Sequence, residues 1–200
     1  MIKKFFSKLF PPTELIVVSG LPRSGTSLMM KMLEAGGLEP LQDNIRRPDE
    51  DNPKGYYEFE RVKALPEDTA WLPLAKGKAV KIIALLLTKL PLKGFRYRVI
   101  FMRRDIEEIL ASQKRMLERR GEATDKIADE EMISTYHKHL SEVQSFISGN
   151  ECFEVLYVNY NDLMRHPSDW TPRIAAFLKR KMDEKAMESV IDASLYRNRG

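Results

Sequence analysis

The run from Val17 to Met30, VVSGLPRSGTSLMM, leaves few ways to fold. Residues 15–18 are a short apolar, β-rich stretch of the kind that sits inside a parallel sheet. Gly20 and Gly25 then allow the backbone angles that turn successive N–H groups inward. A helix beginning near Thr26 adds unpaired amides and the positive end of its dipole. The spacing therefore predicts a strand, a glycine loop and a helix that together hold a phosphate or sulfate without a metal.

The letters of the loop narrow the anion. A nucleotide-triphosphate loop reads G-x-x-x-x-G-K-[ST], its lysine reaching the β- and γ-phosphates and its hydroxyl a magnesium ion. The glycine spacing is kept here, but Thr26 stands at the lysine position and the cation lies inside the loop, at Arg23. An arginine fork suits an oxygen-rich anion, and Ser24, Thr26 and Ser27 add hydroxyl donors. A small-molecule kinase using Mg·ATP is the rival enzyme reading, and the absent lysine counts against it.

A second junction follows a later apolar run. Residues 98–103 read as a strand ending in arginine, followed by Arg104, Asp105 and a helix that carries Ser112. Asp105 is placed to cap this helix, with Glu108 completing a capping box. Ile106, Ile109, Leu110 and Leu117 form its core stripe, while Asp105, Glu108 and Ser112 share another face. Arg104 leaves the sheet edge on the side of Ser112, and the pair is expected to clamp a phosphate.

Taken together, Pro22-Arg23-Ser24-Gly25-Thr26-Ser27 and the Arg104–Ser112 element resemble the sulfotransferases that use 3′-phosphoadenosine-5′-phosphosulfate (PAPS). In that family a modified loop holds the 5′-phosphosulfate and an arginine–serine pair holds the 3′-phosphate. The resemblance implies that Arg23, Ser24, Gly25, Thr26 and Ser27 bind the first group and Arg104 and Ser112 the second. Ile106 departs from the proline common at its position. Asn52-Pro53-Lys54-Gly55-Tyr56-Tyr57-Glu58 is similar to a stretch of bacterial members that helps form the acceptor pocket.

The remaining chemistry is assigned by analogy to the same family. Its cytosolic members use a histidine in the first half of the chain, whereas here His137, His139 and His166 all lie well downstream. Carbohydrate and protein-tyrosine members use a glutamate, which makes Glu58 the candidate base, with Glu60 and Glu34 as alternatives. Lys81, on the second apolar run, is the candidate further cation at the transferring group, beside Arg23. Arg197, with Arg199, stands in a basic segment expected to close over the nucleotide. His137 and His139 are two apart on a helix and do not face each other, so no metal site is expected.

Strand-like runs at residues 15–19, 79–83, 98–102 and 154–158 alternate with helical patterns at 25–35, 106–120, 129–148, 167–179 and 183–193. This predicts an α/β, P-loop-like three-layer fold with a central parallel sheet flanked by helices, and both motifs fall at the carboxyl ends of strands, where such sheets bind ligands. Two hundred residues, 43% hydrophobic and 31% charged, suit one globular domain over 1–200. The net charge of +4 favours anionic ligands, yet aromatic–basic interleaving is lacking, so nucleic acid is not expected.

The single Cys152 reads as a buried thiol in a reducing compartment, and a cytoplasmic location is expected. Residues 1–10 are basic and apolar but too short for a signal peptide's core or a membrane span. We read them as an amphipathic turn on the domain, with weak interfacial membrane contact as the alternative. A small-molecule, carbohydrate or lipid acceptor fits equally, and oligomeric state is open. A non-catalytic nucleotide-binding protein is the second rival, because it would keep both anion motifs without a working base.

Overall fold

Apolar runs with no polar alternation become strands when both faces of a sheet are covered, and the computed structural model shows this directly. It describes residues 11–43, 45, 55–124 and 128–191. Strands β1 (Thr13–Gly20), β2 (Ala79–Lys81), β3 (Phe95–Arg103) and β4 (Phe153–Asn159) form a parallel sheet in the order β2-β1-β3-β4. The register pairs Val18 with Lys81 and with Ile100, and Gly20 with Met102. The outer edge of β2 is covered by a short stretch, Leu41 N–H donating to the Ala79 carbonyl at 2.7 Å and Ala79 N–H to Glu39 at 2.9 Å.

Successive residues feed two cores. Leu15, Val17, Val80, Tyr97, Val99 and Phe101 face one side, where Val143 and Ile147 of helix α3 (Asp129–Ser148) and Trp71 cover them. Ile16, Val18, Ala79, Ile100 and Met102 face the other, against helices α1 (Thr26–Ala35), α5 (Pro167–Leu178) and α6 (Glu184–Ser189). Helix α2 (Ile106–Arg119) leaves β3, and a short helix α4 (Tyr160–Arg165) leaves β4. Three 3-10 segments, Glu60–Ala64, Leu72–Ala75 and Ala84–Lys89, complete the connection around β2.

Helix α1 begins without a side-chain cap, since its N-cap is Gly25 in the left-handed region. Four fully buried side chains, Met29, Met30, Met32 and Leu33, hold it instead. At roughly 1.5–3 kcal/mol each they outweigh the roughly 1 kcal/mol a cap supplies. The N-terminal amides are thereby left for another acceptor.

The structure corrects several details of the sequence reading. β2 ends at Lys81 rather than at residue 83, and the chain turns into a 3-10 segment, although Ile82 N–H still donates to the Val18 carbonyl at 3.0 Å. Helix α4 was not foreseen, and among the described residues of the 183–193 pattern the helix runs over Glu184–Ser189. Cys152 is half-buried rather than buried, and its thiol pKa is raised by desolvation. Residues 1–10, Asn52 to Lys54, Arg197 and Arg199 lie outside the described residues. Among those described, no helix is long and apolar enough to cross a membrane.

Candidate anion site at the strand ends

The loop between β1 and α1 is closed by contacts that admit only glycine at two positions. A Cβ on Gly20 would lie 2.5 Å from Ser24 Oγ and 2.8 Å from the Met102 carbonyl, and Gly20 has φ +151°. On Gly25, with φ +100°, it would lie 2.4 Å from the Tyr160 ring. Between them Arg23 takes φ 69°, a left-handed angle rare for a side-chain-bearing residue. Ser24 is buried, its N–H donates to the Leu21 carbonyl at 3.2 Å, and its Oγ has no hydrogen-bond partner among the described residues. Glycines at close approaches, free helix amides and an orphaned hydroxyl make a cradle for an anion.

The two sequence motifs meet. Arg23 Nε donates to Ser112 Oγ at 3.0 Å, and Arg104 Nη1 donates to the Arg23 carbonyl at 3.2 Å. Ser112 is buried and accepts from Arg23, a contact not expected from sequence, which pairs Ser112 with Arg104 as a phosphate clamp. Arg104 is only 7% exposed and pairs through Nε with Glu108 at 2.8 Å. Its guanidinium lies over the Tyr160 ring, 4.5 Å from the centroid. Asp105 caps α2 as expected, accepting from the N–H groups of Glu107 and Glu108. The other half of the capping box is not made, because the Glu108 carboxylate serves Arg104 and Asn161 instead.

A second cluster lies on the β2 side of the loop. Lys81, 8% exposed, reaches α1: its Nζ is 3.4 Å from Ser27 Oγ, donates to the Tyr56 carbonyl, and is 3.5 Å from Glu58 Oε1. Ser27 Oγ also donates to the Tyr56 carbonyl at 3.4 Å. Glu58 is 22% exposed there. The two alternatives to Glu58 are elsewhere. Glu34, near the far end of α1, accepts from Tyr57 Oη at 2.6 Å, and Glu60 pairs with Lys63 in solvent at 2.7 Å. Burial and the Glu34 carboxylate raise the Tyr57 phenol well above its ordinary pKa.

Sequence reasoning missed Tyr160 and Asn161. Both follow β4 directly, so three neighbouring strand ends supply the site, and the rule that sheets bind at their carboxyl ends was the signal that pointed there. A cavity of about 460 Å³ opens beside the loop between the end of β3, α2 and α3, with Ser24 and Arg104 on its wall. Among the described residues no group of three His, Cys, Asp or Glu side chains has a metal-holding arrangement.

Comparison with known proteins agrees with this frame. The family described as "Sulfotransferase domain" matches residues 13–199. The fold is similar to the sulfotransferase domain of the Synechococcus PCC 7002 olefin synthase, at TM-score 0.56 and 17% identity over 94% of this chain and 81% of that one. It is also similar to sulfotransferase STF1 from Mycobacterium tuberculosis H37Rv, at TM-score 0.57 and 17% identity over 94% and 73%. A third likeness is mouse sulfotransferase SULT7A1 complexed with PAP, at TM-score 0.52 and 15% identity over 94% and 67%. No curated protein matches in sequence.

Proposed function

Since the chain belongs to the sulfotransferase domain family, we propose that it moves a sulfuryl group from PAPS to a hydroxyl or amine of an acceptor. The observation that carries this reading is the junction of two anion motifs at adjacent strand ends, with Arg23 bonded to Ser112 and Arg104 bonded to the Arg23 carbonyl. Two phosphates of one nucleotide need donors that are close but distinct. PAP in the SULT7A1 complex supports the choice of nucleotide.

The residues present fit such a donor. The orphaned Ser24 hydroxyl and the glycine approaches at Gly20 and Gly25 leave the amides of Gly25 to Ser27 available to a 5′-phosphate, with Arg23 beside them. Arg104 and Ser112 are the donors for the 3′-phosphate, and Arg197 is assigned to the same nucleotide. When bound, PAPS supplies the sulfuryl group and a phosphate leaving group. Glu58 takes the acceptor's proton as its oxygen or nitrogen bonds to sulfur. Arg23, the loop amides and Lys81 hold the negative charge that grows where the old bond to phosphate oxygen breaks. Lys81 Nζ, 3.5 Å from Glu58 Oε1, orients that carboxylate until it accepts the proton.

Thermal-shift titration tests the reading. Adenosine 3′,5′-bisphosphate at one hundred times its dissociation constant is expected to add about 2.7 kcal/mol to folding stability. ATP with magnesium is expected to add much less, and stabilisation by it alone would overturn the proposal. Transfer of labelled sulfate from PAPS to a panel of phenols, sugars and lipids then identifies the acceptor class.

A further inference from the structure

The Arg104 side chain is held by Glu108, the Tyr160 ring and the Arg23 carbonyl, and the first two lie outside the loop. Glu108, one turn into α2 and 12% exposed, accepts from Arg104 Nε at 2.8 Å. Asn161, at the start of α4, donates from Nδ2 to the other Glu108 oxygen at 2.7 Å. The Tyr160 ring supports the flat face of the guanidinium at 4.5 Å. With Nε on Glu108 and Nη1 on the Arg23 carbonyl, Nη2 has no acceptor among the described residues. A guanidinium fixed by its Nε edge presents Nη2 in one direction, whereas a loose one samples many.

We propose that Glu108 and Asn161 are positioning residues that aim the Arg104 guanidinium at the nucleotide's 3′-phosphate. This rests on the sulfotransferase reading above. Glu108 carries a negative charge into an anion site, which is unfavourable for binding as such. Its place there makes sense as geometry: a carboxylate bridging Arg104 and Asn161 ties the end of β3 to the end of β4. Asn161 Oδ1 is buried and has no hydrogen-bond partner among the described residues, so the amide can rotate and still bridge when its neighbour changes.

The test measures how strongly the protein prefers adenosine 3′,5′-bisphosphate over adenosine 5′-monophosphate, as a ratio of dissociation constants by calorimetry. In the unchanged protein the ratio is expected to exceed ten. Glu108→Ala is expected to lower it about tenfold, the worth of one charge-assisted hydrogen bond, with little effect on the monophosphate. Glu108→Gln is expected to retain most of the ratio, because glutamine still accepts from Arg104 and Asn161 turns its Oδ1 to the new amide. Asn161→Ala, which leaves the ion pair in place, is expected to lower the ratio severalfold and serves if Glu108→Ala does not fold.

A purely structural role would weaken both nucleotides alike and leave the ratio fixed, which overturns the inference while the sulfotransferase reading stands. A ratio that rises in Glu108→Ala overturns it too, since Glu108 would then compete for Arg104 instead of aiming it. An unchanged protein with no preference for the bisphosphate removes the nucleotide assignment, and the inference with it.

Discussion

Two residues in the site are under conflicting demands, and each gives a measurable outcome. Gly25 combines φ +100° with the Tyr160 ring at 2.4 Å from where a Cβ would stand, so alanine meets both backbone strain and a steric overlap. Gly25→Ala is expected to cost about 2–4 kcal/mol and to abolish nucleotide binding, read by denaturant titration and calorimetry. Glu58 pairs with Lys81 yet is assigned to take a proton. Glu58→Gln keeps the shape but not the basicity, so kcat is expected to fall about 10²- to 10⁴-fold with KM nearly unchanged, by steady-state assay with labelled PAPS. Arg23 was legible as a cation in a loop, but its bond to Ser112 was not, because no local spacing relates residues from two different strand ends.

At the level of elements, burial on both faces explains what could be read in advance. Within 98–102 and 154–158, residues 99–102 and 155–158 announce themselves as unbroken apolar runs, and β3 and β4 extend beyond them at both ends. Helix α4 escaped notice because Asn159, which caps it by accepting from Asp162 N–H, is also the last residue of β4. Helix α5 tolerates Pro172 in its interior since Trp170, Thr171, Ile174, Ala175 and Leu178 are buried beside it. Pro172 itself is exposed, so replacing it removes no packing and restores a backbone donor. Pro172→Ala is expected to raise stability by about 1 kcal/mol or more, measured by thermal denaturation.

Across the whole molecule, four protonated groups among the described residues tie stability to pH. Burial raises the pKa of the Tyr57, Tyr97 and Tyr136 phenols and of the Cys152 thiol, with Glu34 reinforcing the effect on Tyr57. Each therefore keeps its proton in the folded state at pH values where the unfolded chain has lost it. Their contribution is complete below the ordinary thiol and phenol ranges, about 8.5 and about 10 respectively, and declines as pH rises beyond them. Denaturant midpoints are expected to fall progressively above about pH 9.

The stack of Gly25, Tyr160 and Arg104 draws one partner from the first strand's loop, one from the third strand's end and one from the fourth's. During biosynthesis the loop emerges well before the ring that seats it. The seat is then completed long after the loop itself is made, and a fragment ending before Tyr160 carries the motif without the ring against it.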